Sequence, residues 1–373
     1  MFQTRNSSSS SSFVASCPTR SLFCILSHVW ILATTFSLLQ SSVQSSSNTP
    51  SGDLLIHGED DYDNSEHGFD SRAQGLIRAL ADVQHPIAEC NSGTVNYEEN
   101  PENVTLALWN VWNYDSGGDW LHRSRIIYDQ IRRVSPTIVA LNELRVSSQK
   151  GNMFLEVCAA LINYKGYFQP AMRYEDGTVE GIALFTKVRF QHVRSKHLHL
   201  KTHQVEDANR RAILGAYSPS LQTAFFVSHF SYEYEQRVTN AVGASWFMSW
   251  YKSPRKVILA DFNAETERDP AVRLLKFRHK MADVHKTLAE PTYCNCGHSD
   301  CELNRRPDRI LVSSPLLQKY RKTRAWTGPK GPMNGICASD HRAVFLQFEE
   351  ARMPRQRPPD LLESFVTQSL YGV

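Results

Sequence analysis

Neither sign of charge dominates this sequence: 41 Lys and Arg stand against 38 Asp and Glu, a formal net charge of +3 over 373 residues. Dedicated nucleic-acid-binding domains are usually far more basic, so any polyanionic substrate must be held by a local site. Only one long apolar run occurs, Leu22–Leu39, and that excludes a polytopic membrane protein. With 18 Gly and 17 Pro the chain is too poor in both for a collagen, and 41% hydrophobic residues are too many for disorder throughout. What is left is a globular protein of one to three domains.

The first 45 residues read as a targeting segment. Arg5 and Arg20 precede the apolar run, and Ser, Val and Gln follow it, which is the order of a secretory signal with cleavage near Ser45. An uncleaved signal anchor is the alternative, since the run is long and contains His28. Either way the rest of the chain is expected outside the cytosol. Without Cys17 and Cys24, six cysteines remain: Cys90, Cys158, Cys294, Cys296, Cys301 and Cys337. An even count in an exported chain fits disulfides of undetermined pairing. The group Cys294, Cys296, His298 and Cys301 matches no standard zinc spacing, so a disulfide-stapled loop is the simpler reading and a zinc knot the other.

Residues 46–103 are expected to form an acidic and polar linker, mostly disordered, with a short helical pattern at Ala73–Val83. From Val104 to Phe348 short apolar runs alternate with turns. Strands are expected at Thr105–Trp112, Thr137–Leu141, Gly181–Thr186, Ala212–Ala216, Thr223–Phe230, Val257–Ala260, Arg309–Val312 and Ala343–Phe348. A helix capped by Asp119 buries Trp120, Ile127, Ile131 and Val134 on one stripe, and a second covers Gln236–Trp250. The pattern predicts an α/β fold, two packed sheets flanked by helices, over residues 104–350, with a Pro-containing tail at 351–373.

The unusual polar residues fall at strand ends. Asn110 sits in an otherwise apolar strand, Glu143 follows the run IVAL, His229 lies in FFVSHF, and Asp261 and Asn263 follow VILA. Asp308 precedes RILV, while Asp340 and His341 precede AVFLQF. One rim of a sandwich could gather them all. Glu143, Asp340 and Asn110 are hard oxygen ligands suited to Mg²⁺ or Mn²⁺. His341 beside Asp308 makes an imidazole–carboxylate pair, Asp261 can accept a proton from water, and Asn263 and His229 can hydrogen-bond phosphoryl oxygens. Singly, each has a plain structural reading as a turn or cap residue; their coincidence in order suggests metal-assisted hydrolysis of a phosphate ester.

The segments LWNVWNY, PTIVALNEL, GIALFTK, VSHF, LADFNAE, RPDRILV and ASDHRAV, in this order, resemble the endonuclease/exonuclease/phosphatase family, the fold of deoxyribonuclease I. The resemblance implies a four-layered α/β sandwich and cleavage of phosphate esters with Mg²⁺. It implies a metal site at Asn110, Glu143 and Asp340. It also implies catalytic roles for His229, Asp261, Asn263, Asp308 and His341. Three departures are visible: Asn142 where Gln usually precedes the metal-binding Glu, Pro307-Asp308-Arg309 in place of Ile-Asp-Tyr, and the Cys-rich loop at Cys294–Cys301.

The substrate is not fixed by the fold. A nucleic acid and a lipid head group are both open, with a non-catalytic binding protein as the competing class. Arg211 and Arg309 lie in basic clusters that can hold phosphates, against the plain reading of a solvated charged loop. A lipid phosphodiesterase needs an exposed apolar docking element. Trp246, Phe247, Trp250 and Tyr251 are the candidates, though their helical spacing reads first as core. No obligate protein partner is inferred, and a membrane enters only through an uncleaved anchor.

Overall fold

The computed structural model describes residues 87–350, apart from 92, 94, 100, 102, 118, 199–206, 208, 285–289 and 294–304. The targeting segment, most of the linker with its expected helix, the loop Cys294–Cys301 and the tail lie outside the described residues.

Fourteen strands form two sheets among the described residues. The first sheet, A, has the order β1-β5-β6-β3-β2-β14-β13, with β4 on β3. Its strands are β1 Ala88–Asn91, β2 Asn103–Asn110, β3 Ile138–Ser147, β4 Gly151–Asn152, β5 Lys165–Arg173, β6 Val179–Thr186, β13 Tyr320–Gly328 and β14 Ala343–Glu350. Sheet B has the order β11-β12-β10-β9-β8-β7. It contains β7 Gln191–Leu198, β8 Arg211–Ser218, β9 Thr223–His229, β10 Lys256–Asp261, β11 Met281–Asp283 and β12 Asp308–Ser313. Helices α1 Tyr114–Gly117, α2 Trp120–Val134 and α3 Met153–Ala160 precede β5. Helices α4 Tyr234–Ser249, α5 Pro270–Arg278 and α6 Ser314–Lys319 follow β9. None of the described helices is long and apolar enough to cross a membrane.

Alternation of side chains along each strand gives every sheet two apolar faces. Leu106, Leu108, Ile182, Leu214, Val227, Leu259 and Ile310 fill the space between the sheets. On the other face of sheet A, Trp109, Leu141 and Phe185 meet Ile127 and Ile131 of α2 and Phe154 of α3. Beyond sheet B, Phe226 and Ile258 meet Phe247 of α4 and Leu275 of α5. The result is helix, sheet, sheet, helix, the four layers that the resemblance implies. Each fully buried Leu, Ile or Phe contributes about 1.5–3 kcal/mol.

All eight expected strands are present. The expected helix after Asp119 is α2: the Asp119 carboxylate accepts from His122 N, Arg132 and Arg133 lie in the last turn, and Ser135 ends it at φ 51°. Strands β7 and β13, among those not expected from the sequence, lack a strand signal for a shared reason. They are the edges of their sheets, so much of their surface faces water and their sequences, QHVRSKHL and YRKTRAWTG, lack an apolar run.

The linker expectation needs correcting at its C-terminal end. Strand β1 pairs antiparallel with β5, and Cys90 is disulfide-bonded to Cys158 of α3 across a sequence separation of 68. The folded domain therefore begins by residue 87, and between β1 and β2 Glu98 N donates to Lys187 O at 2.9 Å. Closing a loop of that size stabilises the fold by about 4 kcal/mol in the chain-entropy account. Cys337 is disulfide-bonded as well.

Candidate active site

Each sheet holds one parallel pair, β2 with β3 and β9 with β10, and all other pairings are antiparallel. Parallel neighbours end on the same side. Asn110 is thus level with Asn142, and Asp261 with His229. The antiparallel neighbours begin where these end: Asp308 is opposite Asp261, and Val344 of β14 opposite Leu108. This register delivers all the strand-end polar residues to one rim. They line an open cleft of about 860 Å³, with Asn110, Glu143, His229, Asp261, Asn263, Asp340 and His341 on its wall.

Asn110 joins the two sheets. Its Nδ2 donates to Glu143 Oε1 at 2.8 Å and to Asp261 Oδ2 at 3.0 Å. Asp261 Oδ1 accepts from Asn263 N at 2.8 Å, which shapes the turn after β10. Asn263 Nδ2 lies 3.1 Å from His229 Nε2 and 2.9 Å from Phe230 O. With both amide hydrogens used in this way, His229 Nε2 is an acceptor and the ring is neutral. Burial, reinforced by Arg211, agrees, lowering the His229 pKa to about 3.

His341 Nδ1 is 2.7 Å from Asp308 Oδ2, and its Nε2 lies 3.8 Å from Asp261 Oδ2. Burial opposes a charged ring, but Asp308, then Asp261 and Asp340, hold its pKa well above the ordinary value. Its backbone is pinned as well: Trp109 Nε1 donates to His341 O at 3.0 Å, and His341 N to Ser339 Oγ at 3.0 Å.

Glu143 sits in a β-bulge of β3 at φ 62°, Asn263 at φ 48° and Trp112 at φ 52°, all on the cleft. The left-handed region costs a residue other than glycine about 1–3 kcal/mol, and a bulge re-aims a side chain. Three such residues around one cleft mark a surface shaped for chemistry.

Several participants carry no signal at a strand end. Asn113 Nδ2 donates to Glu143 Oε2 at 3.1 Å and to Glu180 Oε2 at 3.3 Å. Asn142, by contrast, is fully buried with neither amide atom hydrogen-bonded, so the support for Glu143 comes from Asn110 and Asn113. Arg145 Nε donates to Glu180 Oε2 at 2.7 Å, and Tyr174 Oη donates to the same oxygen at 3.1 Å. Arg123, buried, donates to the carbonyls of Val111, Trp112, Asn113 and Ala338, clamping the loops that carry Asn113 and Asp340. Glu180 was within reach of the sequence: it immediately precedes GIALFT as Asp308 precedes RILV.

The two arginines separate. Arg211 lines the cleft, held by buried Asp207 at 2.7 Å. Arg309, expected to bind substrate, does not reach the cleft. It is 1% exposed and donates to Asp283 Oδ2 at 2.9 Å and Ala264 O at 3.2 Å. Strand alternation explains the difference: Asp308 points toward His341 on the cleft wall, so its neighbour points the other way. Arg309 supports the turn after Asn263 from beneath.

The donor set fits a hard divalent cation. Glu143, Asp340 and Glu180 lie on the cleft; burial raises all three pKa values, and neighbouring carboxylates add to it, Asp340 acting on Glu143, Glu143 on Glu180, and Asp261 and Asp308 on Asp340. Arg145 already pairs with Glu180, whereas among the described residues Glu143 and Asp340 hydrogen-bond only neutral groups. Asp261, Asp308 and His341 also have ligand atoms within 4.8 Å of one another. There His341 Nδ1 already engages Asp308 Oδ2, so this trio reads as a proton-handling unit.

A model of the endonuclease/exonuclease/phosphatase family matches residues 107–341. The chain belongs to this family, whose members are generally phosphoester hydrolases and usually depend on a divalent metal. Similar solved structures include a family member from Bacteroides thetaiotaomicron at 15% identity and TM-score 0.51, covering 66% of this chain and 94% of that one. Truncated Caenorhabditis elegans TDP2 aligns at 17% identity and TM-score 0.51, over 68% of this chain and 100% of that one. The human Nocturnin catalytic domain with bound sulfate anion aligns at 16% and 0.50, over 72% and 98%. At these identities the likeness shows the fold. No curated protein matches the sequence significantly.

Proposed function

We propose that this chain is an exported Mg²⁺- or Mn²⁺-dependent phosphodiesterase with nuclease-like action. The observation that carries the reading is the single rim on which Asn110 links Glu143 to Asp261, with the Asp308–His341 pair beside them. Glu143 and Asp340, with Asn110, would hold the cation, which when bound supplies positive charge to a phosphoryl oxygen. Asp261 orients water and takes its proton. His341, kept protonated by Asp308, offers Nε2–H to a phosphate oxygen, and Arg211 neutralises charge on the substrate. Asn263 fixes His229 at the opposite wall.

An open cleft walled by Tyr232 and Tyr234, each about half exposed, suits an extended diester. The Cys90–Cys158 disulfide and the disulfide-bonded Cys337 support a location outside the cytosol. The test is hydrolysis of plasmid DNA, RNA, sphingomyelin and a chromogenic phosphodiester by the purified protein, with and without EDTA. The expected result is turnover of nucleic acid and chromogenic diester that EDTA abolishes and His341→Ala lowers by about 10³-fold or more. Nuclease action weakens steeply with salt, because phosphate contacts release counterions. Full activity in EDTA, or in His341→Ala, contradicts the assignment.

A further inference from the structure

The end of α4 remote from the cleft is unlike the rest of the surface. Val242, Trp246 and Trp250 recur every four residues and are 53%, 58% and 42% exposed. Their neighbours Ala244, Phe247 and Met248 are buried against sheet B. The expectation that the aromatic stretch is core thus holds for Phe247 and Tyr251 only. Large apolar side chains grouped at the surface mark an interaction site.

Charge around the stripe has one sign. Lys196 of β7 places Nζ 4.1 Å from the Trp246 ring centre and 5.8 Å from that of Trp250. Neither Gln191–Leu198 nor the stretch 236–260 contains an Asp or Glu. Among the described residues none of Arg194, Lys196 and Lys252 pairs with a carboxylate. A hollow of about 510 Å³ opens beside the stripe, walled by His192, Arg194, Tyr217, Trp250, Lys252 and Ser253. Helix α5 meets the same stretch of α4 through His279 Nε2, 3.1 Å from Ser245 Oγ.

We propose that this face, the outer end of α4 with the edge strand β7, docks on bilayers containing anionic phospholipid. Indole rings with Lys and Arg alongside are the composition of a membrane interface. The hollow receives a head-group phosphate while Val242, Trp246 and Trp250 enter the head-group boundary. Both polyanion classes, lipid and nucleic acid, suit the charge, and ring geometry decides between them. Trp246 and Trp250 meet edge to face, 5.0 Å apart at 69°, and Lys196 covers a face of Trp246, which leaves no parallel platform for stacked bases. Trp246 lies about 18 Å along α4 from Tyr234 at the cleft, at the ordinary helical rise. Docking there leaves the cleft open, so the proposal stands apart from the substrate question.

The test is hydrogen exchange of the full chain with phosphatidylcholine vesicles, with and without phosphatidylserine, read at residues 191–198 and 242–253. Reading these segments separates docking here from any insertion of the N-terminal apolar run. The expected result is slowed exchange in both segments with phosphatidylserine only, lost in Trp246→Ala/Trp250→Ala. Arg194→Glu/Lys252→Glu, confined to exposed side chains, is expected to weaken that protection at least about tenfold in lipid concentration. Both variants keep wild-type hydrolysis of a soluble diester, which reports their folding. Unchanged exchange with anionic vesicles overturns the proposal, as does protection by a single-stranded oligonucleotide without protection by lipid.

Discussion

Sheets A and B each bring a central parallel pair to the cleft, yet the groups they deliver are in opposite states. On the sheet A side, burial first and neighbouring carboxylates second favour the protonated forms of Glu143, Glu180 and Asp340. On the sheet B side each acid has a fixed partner: Asp261 receives Asn110 and Asn263, and Asp308 holds His341. In the first half Arg145 answers Glu180 alone, leaving Glu143 and Asp340 on neutral partners among the described residues, and the other half is organised before anything binds. The difference assigns the labour: a cation belongs with the first, proton handling with the second. Asn110, reaching from one to the other, keeps the two at working distance.

The largest effect expected from breaking this contrast comes from the organised half. Asp308→Asn removes the charge that keeps His341 protonated and frees its tautomer, so kcat on a chromogenic diester is expected to fall about 10³–10⁴-fold. Titration of the His341 ring by NMR should show its pKa moving down toward the ordinary histidine value. A wild-type pKa in this variant would show that the pairing does not set the charge.

Next comes the crowded half. Glu143→Gln takes away one of the repelling carboxylates and one hard ligand together. The cation concentration for half-maximal activity is expected to rise about 10–100-fold, as for other losses in metal sites. Without metal, the variant should melt above the wild type, because repulsion is relieved. Thermal unfolding in EDTA and in saturating Mg²⁺ checks both signs: added metal should stabilise the wild type well and the variant little. Equal stabilisation would place the cation elsewhere.

The smallest effect is on pH dependence, and it sharpens the contrast between the two histidines. His229 takes up a proton only near pH 3 in the folded state, against 6.5 ordinarily. The unfolded chain therefore binds the proton first, and stability falls as pH drops from about 6.5 toward 3. His341 has the reverse sign: its raised pKa stabilises the fold below about 6.5, and that contribution is lost as pH rises through the folded value. Melting temperature against pH in EDTA should lose its acid slope in His229→Asn and its alkaline slope in His341→Asn. Identical profiles for the two variants would refute the opposed charge states.

Much of this was legible from one line of sequence. Short apolar runs such as IVAL and VILA, bounded by polar and turn residues, read as buried strands, and the polar residues beside them stand out. That located Asn110, Glu143, Asp261 and Asp308. Glu180 obeys the same rule, whereas Asn113 sits three residues beyond its strand, in a loop ordered by the Arg123 clamp and by its own side chain. Arg309 was misplaced because adjacency in sequence is opposition in a strand: beside Asp308 in the chain, it points into the layer below.

By itself the sequence determined the inventory and its order, since composition and local periodicity decide which segments are strands and which polar groups close them. Only the tertiary structure decided the partners. Asn110 touches Asp261 across 151 positions and His341 touches Asp308 across 33. Those meetings follow from strand register and sheet order, which are settled by packing two apolar faces against each other. The same packing left Trp246 in water while burying Phe247 beside it, a choice that depends on which side of α4 meets sheet B.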